Sequence, residues 1–235
     1  MQEPSGDAFW GYEDLALFIG AIFPSLAGAL LIVRPFHISN QGVQALVYQC
    51  GFYALLLGSL YLVISLRYRR PFWRSLGWTF EYRGAWLYVA VGIVLAFGLS
   101  AIAAALRTPG GSEVQDLMTD RSSMIAVMLF GALIGPVVEE VVFRGFLLPL
   151  FAKSMPAGAA IVITAIPFAL LHGPTVKWAW QSILVIGLAG VMLGVVRVRS
   201  GSTAASALVH VVYNSTLFSG YLLLRSASMK FGGDS

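Results

Sequence analysis

Long apolar runs separated by short polar segments dominate the sequence. The runs lie at about 15–33, 43–66, 84–106, 122–139 (or 122–152 if the run continues), 157–172, 178–196 and 203–224. About 20 apolar residues span the hydrocarbon of a bilayer as a helix, and proline, glycine and arginine residues mark the ends of these runs. The pattern predicts an all-α fold, a polytopic transmembrane helical bundle of about seven membrane helices, within a range of six to eight.

Composition agrees with this pattern and narrows the partners. Hydrophobic residues make up 58% of the chain and charged residues 11%, so a soluble domain is excluded. The net charge of +4 would suit nucleic acid. However, the arginines lie at the ends of apolar runs, where they meet lipid headgroups, and we expect no nucleic-acid partner. The single cysteine, Cys50, excludes an intramolecular disulfide and a multi-cysteine metal cluster.

Arginines predict which side of the membrane each loop faces, and tryptophans indicate where helices meet the membrane surface. The 67–83 segment carries five arginines, which favours the cytoplasmic side for this segment and for the N-terminus, although the excess over the opposite side is small. We expect an integral multi-pass protein of the cell (plasma) membrane. Tryptophans near run ends are typical of interfacial anchors, and they are Trp10, Trp73, Trp78, Trp86, Trp178 and Trp180.

Glu139 and Glu140 are the acids that fall inside an apolar run. A carboxylate at the centre of a membrane helix costs about 2.5 to 3.5 kcal/mol, so such a pair needs a partner, water or a function. Arg144 is the basic residue with apolar sequence on both sides. On a helix Glu140 and Arg144 share a face at i and i+4 and can form an ion pair, while Glu139 points about 100° away and is free for another role.

Two further polar sets follow in the later runs, Phe168 with His172 and His210 with Asn214. Each residue alone could be an interhelical hydrogen-bonding residue of the core. Together with a glutamate, two imidazoles and an amide suffice to activate water and stabilise an oxyanion, or to hold a metal. The chain has no His-Glu-x-x-His string, no aspartate pair within its spans and no serine in a Gly-x-Ser-Gly setting, which leaves glutamate chemistry.

The three polar sets resemble the motifs of the CAAX protease and bacteriocin-processing family, which includes the type II CAAX prenyl proteases. The motifs occur in the same order as Glu-Glu-x-x-x-Arg at 139–144, Phe-x-x-x-His at 168–172 and His-x-x-x-Asn at 210–214. The resemblance covers about residues 123–220. It implies a helical intramembrane endopeptidase that acts on a peptide or protein substrate at the membrane.

The resemblance also implies roles for individual residues. Glu139 would activate water with the help of His172, and His210 and Asn214 would stabilise the oxyanion. The supporting residues would be Glu140, Arg144 and Phe168. No cofactor is favoured, but a zinc-dependent version would use Glu139, His172 and His210 as ligands. Two other interpretations stay open: a non-catalytic membrane immunity or adaptor protein with a structural polar core, and an ion or proton carrier.

We expect one integrated membrane domain in three parts. Residues 1–121 form the N-terminal helices and loops, residues 122–225 the catalytic core with the three motifs, and residues 226–235 a short polar tail. His172 lies near the end of its run, whereas His210 lies about a third of the way along its own. Their depths agree only if a helix is broken or displaced, and Gly135-Pro136 predicts a kink or a helix start.

Overall fold

A computed structural model describes residues 8–79, 84–110, 116–118 and 120–231, with side chains up to residue 226. Its helices, in chain order, are α1 (Tyr12–Val33), α2 (Gln41–Arg67), α3 (Phe72–Ser75), α4 (Ala85–Ala105), α5 (Arg121–Ala152), α6 (Ala157–Leu171), α7 (Trp180–Ser200) and α8 (Thr203–Phe231). Main packing partners are α1 with α2, α4 with α8, α6 with α7, and α5 with α8. The tail at 226–235 lies largely outside the described side chains.

Six of these helices are long and apolar enough to cross a membrane: α1, α2, α4, α5, α7 and α8. The predicted run at 157–172 is shorter as a helix, because α6 has 15 residues and a length of about 22 Å, against about 30 Å of hydrocarbon. After α6, Lys177 forms an ion pair with Asp116 of the α4–α5 segment at 3.0 Å. The loop after α6 therefore reaches the end of the bundle where α4 ends and α5 begins. The prediction of an all-α polytopic bundle is confirmed.

Helix α5 changes its hydrogen-bond spacing on both sides of Gly135-Pro136. Residues Phe130–Ile134 and Val141–Leu147 are π-helical, and the α-helical turn Gly135–Glu140 lies between them. Proline has no N–H to donate and crowds the preceding turn, and a π-helical turn accommodates both effects. Of the predicted kink or helix start, the helix start is wrong, because the chain stays helical through Gly135; the hydrogen-bond spacing changes there instead.

Helices α6 and α7 approach closely through glycines on α7. A Cβ on Gly194 would lie 2.9 Å from Ile161, and one on Gly190 would lie 3.0 Å from Phe168. A Cβ on Gly187 would meet Ala169 at an ordinary 3.6 Å. The close approach places Phe168, one turn before His172, beside Gly190 in the middle of α7.

Helix α8 begins deep in the bundle. Its first residue, Thr203, donates from its backbone N–H to the Gly77 carbonyl at 2.9 Å and from its hydroxyl to the Leu76 carbonyl at 2.6 Å. A Cβ on Gly145 would lie 3.2 Å from Leu76 and 3.6 Å from Thr203. Gly145 precedes the end of α5 by about 10 Å of helix, so the start of α8 is recessed by about that distance. This displacement brings His210 to the depth of His172.

The chain before and at the start of α1 also packs into the bundle. Trp10 is 1% exposed, and its indole N–H donates to the Phe146 carbonyl at 3.2 Å. The prediction of an interfacial anchor is wrong for this tryptophan, which is a core residue. Asp14 lies in the first turn of α1 and is fully buried, where it pairs with Arg67 at 3.2 Å and accepts from the Tyr68 hydroxyl at 2.6 Å.

Candidate active site

The Glu140–Arg144 pair lies entirely inside the bundle. Arg144 Nη1 donates to Glu140 Oε1 at 2.9 Å, so the predicted ion pair is present. Arg144 Nη2 donates to the Gly190 carbonyl on α7 at 2.8 Å. Its guanidinium carbon lies 4.5 Å from the centre of the Phe168 ring on α6, within the range of a cation–π contact. Arg144 therefore joins α5 to both α6 and α7.

Helix α8 supplies two more partners of Glu140. His210 Nδ1 lies 3.0 Å from Oε1, and the Ser206 hydroxyl lies 2.6 Å from Oε2. A carboxylate that faces Arg144 is ionised and only accepts hydrogen bonds, so the His210 proton lies on Nδ1. The Nε2 atom of a neutral His210 is then unprotonated.

His172 is held in the same tautomer. It is the first residue after α6, and its Nδ1 lies 2.7 Å from the Phe168 carbonyl. A carbonyl oxygen cannot donate, so the proton of His172 also lies on Nδ1. Its own carbonyl accepts from the Thr175 hydroxyl at 2.7 Å and from the Val176 N–H at 3.2 Å, which fixes the loop after α6.

Glu139 lies between the two free imidazole nitrogens. Its Oε1 is 3.9 Å from His172 Nε2, and its Oε2 is 3.8 Å from His210 Nε2. Both distances are too long for a direct hydrogen bond. The Glu139 side chain is 19% exposed, so this gap is partly open to its surroundings. Three acceptor side chains thus face each other, and a water molecule, an added proton or a cation between them would satisfy them.

Phe168 packs at the centre of this group, whereas Asn214 lies at its edge. The Phe168 ring centre is 4.9 Å from that of His172 and 5.9 Å from that of His210. Asn214 donates from Nδ2 to the Gly131 carbonyl in the first π-helical segment at 2.7 Å. The structure therefore brings together Glu139, His172 and His210, and among the described residues the hydrogen bond of Asn214 goes to α5 backbone.

Residues 121–216 match the family model described as type II CAAX prenyl endopeptidase Rce1-like. This part of the chain is similar to the Rce1-like family. No curated protein gives a match, and no solved structure does. The Rce1-like match confirms the resemblance seen in the three motifs. It supports a CAAX-type intramembrane endopeptidase, which is a protease and an integral multi-pass membrane protein.

The matched segment, residues 121–216, contains all residues of the three motifs. One neighbour of Glu139 precedes this segment in the sequence. Tyr53 of α2 lies close enough to Glu139 for their side chains to interact, and its ring stacks on Phe130 with centroids 5.7 Å apart. No local sequence signal separates this tyrosine from others in apolar runs. The sequence motifs do not include Ser206 either, although it lies four residues before His210 and therefore on the same face of α8.

Glu139, His172 and His210 are residue types that bind zinc, but their facing atoms lie far apart. Each imidazole offers Nε2 and holds its Nδ1 proton on a carbonyl or carboxylate, as metal-ligating histidines do. Two ligand atoms of a tetrahedral zinc site are about 3.3 Å apart, shorter than the 3.8 and 3.9 Å found here. Within the described ranges, no group of three or more His, Cys, Asp or Glu residues is placed to hold an ion.

Proposed function

We propose that this chain is a glutamate-type intramembrane endopeptidase that hydrolyses a peptide bond of a membrane-associated or lipid-proximal substrate. The observation that carries the proposal is the position of Glu139 between the Nε2 atoms of His172 and His210, at 3.9 and 3.8 Å. Its neighbour Glu140 is neutralised by Arg144 and occupied by hydrogen bonds. The two carboxylates thus have different environments, which lets one act as a base while the other is structural.

Glu139 and His172 are proposed to activate the water. The 3.9 Å between their facing atoms is short enough for one bridging water, because each water hydrogen bond spans about 2.8 Å. Such a water donates one hydrogen to each acceptor and directs a lone pair toward a substrate carbonyl. As the C–O bond forms, Glu139 takes a proton from the water. That proton then passes to the amine nitrogen as the C–N bond breaks.

His210 is proposed to stabilise the oxyanion in its protonated form. Its Nδ1–H is committed to Glu140, so Nε2 can donate only after the ring has taken up a second proton from solvent water before the reaction starts. The Glu140 carboxylate stabilises the resulting imidazolium at 3.0 Å. Asn214 has a second amide N–H beyond the one bound to Gly131, and this N–H is a neutral donor for the same oxyanion.

Two alternatives remain as outcomes of experiment. In the first, zinc is held by Glu139, His172 and His210 and lowers the pKa of a bound water. In the second, the polar cluster only joins the helices of a non-catalytic immunity or adaptor protein. The partial exposure of Glu139 favours catalysis, because a purely structural carboxylate has no need of access from outside. We propose the plasma membrane as the location, with the N-terminus in the cytoplasm.

The test compares wild type with Glu139→Gln on a set of fluorogenic membrane peptides in detergent and in liposomes. Glutamine keeps the shape of Glu139, which makes no ion pair shorter than 3.8 Å, so the variant should fold. We expect cleavage to fall by about 10²-fold or more. Glu13→Gln, which neutralises an exposed acid on α1, is the matched control and should keep full activity.

Two outcomes would change the assignment. Full cleavage by a folded Glu139→Gln variant contradicts the glutamate mechanism. Loss of wild-type cleavage with a strong zinc chelator, restored by zinc, selects the zinc-dependent alternative. Thermal unfolding of each variant shows whether a loss of activity comes from a loss of fold.

A further inference from the structure

A polar cavity lies at one end of the bundle, and its lining shares no residue with the Glu139 site. It has a volume of about 720 Å³, and its lining includes Arg70, Arg74 and Arg197 together with Trp10 and Gly77. None of the described residues that line it is acidic. Its size lies within the range of cavities that bind small ligands, and its charge favours an anion.

Among the described residues, the three arginines have no acidic partner, in contrast to Arg67. Arg67 pairs with Glu13 and Asp14 at 3.1 and 3.2 Å. Arg70, Arg74 and Arg197 form no ion pair within the described part of the chain. Three neighbouring guanidinium groups without counterions repel one another, and an anion between them removes that repulsion.

Arg197 is built into the wall of this cavity. Its Nε donates to the Arg144 carbonyl at 3.2 Å, which holds the half-buried guanidinium against α5. Its other side faces Gly77, where a Cβ would lie 2.6 Å from Nη2. Gly77 has a φ of +67° and accepts from the Thr203 N–H, so glycine suits both the backbone and the guanidinium. The positions of backbone and arginine are thus mutually fixed.

The arginines of the cavity lie at an end of the bundle, where we expect lipid headgroups. Its arginines come from the segment between α2 and α4 and from the end of α7, which meet at the same end of the bundle. Trp73, next to Arg74, is half exposed, as interfacial tryptophans are. The arginine-rich segment predicts that this end faces the cytoplasm, where anionic phospholipids give the membrane surface a negative potential.

We propose that this cavity binds the phosphate of an anionic phospholipid headgroup. Arginine matches phosphate oxygens with paired N–H groups, and several arginines around one cavity give both affinity and orientation. The acyl chains of the lipid stay in the bilayer beside the bundle. Because Arg197 also bonds the Arg144 carbonyl, the bound lipid stabilises the packing of α7 on α5. This inference does not depend on the proposed protease activity.

The test is native mass spectrometry of the purified full chain with phosphatidylglycerol or phosphatidylcholine. We expect one phosphatidylglycerol to bind in preference to phosphatidylcholine. Each surface arginine contributes about 1 kcal/mol toward an anionic lipid, so Arg74→Gln or Arg70→Gln should lower the affinity about fivefold. Arg197→Lys keeps the charge, and Arg199→Gln is the matched control, since it removes an arginine from the same helix end but outside the cavity.

The outcomes separate a built site from general surface charge. Preferential phosphatidylglycerol binding that Arg74→Gln weakens and Arg199→Gln leaves unchanged supports the proposal. Equal binding of both lipids, or equal loss in both variants, overturns it. In a third arm, inorganic phosphate is added without lipid. A rise in unfolding temperature with phosphate, combined with no preference between the lipids, assigns the cavity to a free anion and also overturns the lipid proposal.

Discussion

Neutralising Glu140 should destabilise the bundle far more than neutralising an exposed acid. Glu140 is fully buried, and its carboxylate accepts from Arg144, His210 and Ser206. Glutamine at this position keeps the size of the side chain but removes the charge. It leaves the buried Arg144 guanidinium without a counterion, and it replaces one acceptor oxygen by an amide that donates.

The expected magnitude follows from the contacts that survive. Removing one partner of a buried ion pair costs about 3 to 5 kcal/mol, because the other charge stays buried. Arg144 keeps the Gly190 carbonyl at 2.8 Å and the face of Phe168 at 4.5 Å, and these contacts moderate the loss. We therefore expect Glu140→Gln to lower the free energy of unfolding by about 3 kcal/mol, near the lower end of that range.

The assay is equilibrium unfolding in mixed detergent micelles, carried through a double-mutant cycle. Arg144→Gln should cost about as much as Glu140→Gln, and the double variant should cost less than the sum by about 2 to 3 kcal/mol, since neither charge is then left alone. Glu13→Gln is the control. Glu13 pairs with Arg67 at 3.1 Å but is 71% exposed, so its loss should cost about 1 kcal/mol or less.

One result would refute this reasoning. If Glu140→Gln unfolds at the wild-type midpoint, or if the double variant costs as much as the two single variants added, then the pair is not coupled as its geometry implies. Such a result would mean that Glu140 is not ionised in the folded protein. The assignment of the Nδ1 proton of His210, which rests on that ionised state, would have to change with it.

Two further predictions concern packing on α7 and capping of α5. Gly190→Ala should lower the free energy of unfolding by about 1 to 3 kcal/mol, because its Cβ would crowd Phe168 at 3.0 Å. Gly187→Ala should be neutral or stabilising by up to about 1 kcal/mol. Equal unfolding free energies for the two variants would contradict this prediction. The backbone N–H of Ser123 holds the pKa of Asp120 below its ordinary 3.8, so its stabilising effect is complete above that pH and is lost as the pH falls through the lowered value. Asp120→Asn should flatten this acid dependence of the unfolding temperature, and unchanged slopes would contradict it.

The parts of the site that sequence predicts are those set by local helical spacing. Glu140 and Arg144 lie four residues apart on one helix, so their ion pair follows from helix geometry alone. The contact of His210 with Glu140 joins residues 70 positions apart. It depends on how deeply α8 starts, which is set by its hydrogen bonds to Leu76 and Gly77. No periodicity in the sequence encodes that offset.

The change of hydrogen-bond spacing in α5 shows the same limit on a smaller scale. Gly135-Pro136 correctly indicates a disturbed helix, because proline removes a donor and crowds the turn before it. Whether the chain responds by ending or by widening depends on neighbours. Here Asn214 of α8 donates to the Gly131 carbonyl within the widened turn, which gives a partner to a carbonyl that Pro136, having no N–H, cannot satisfy.

The short helix α6 also affects the lipid around the protein. Its exposed face is apolar, with Ile166 and Leu171 more than half exposed, yet the helix measures about 22 Å. Lipid beside a short hydrophobic segment thins to match it, at a modest free-energy cost for each ångström. The bilayer should therefore be locally thin on the flank where His172 ends α6. Under the proposed function, a peptide arriving through that thinned membrane would have less hydrocarbon to cross before it reached Glu139.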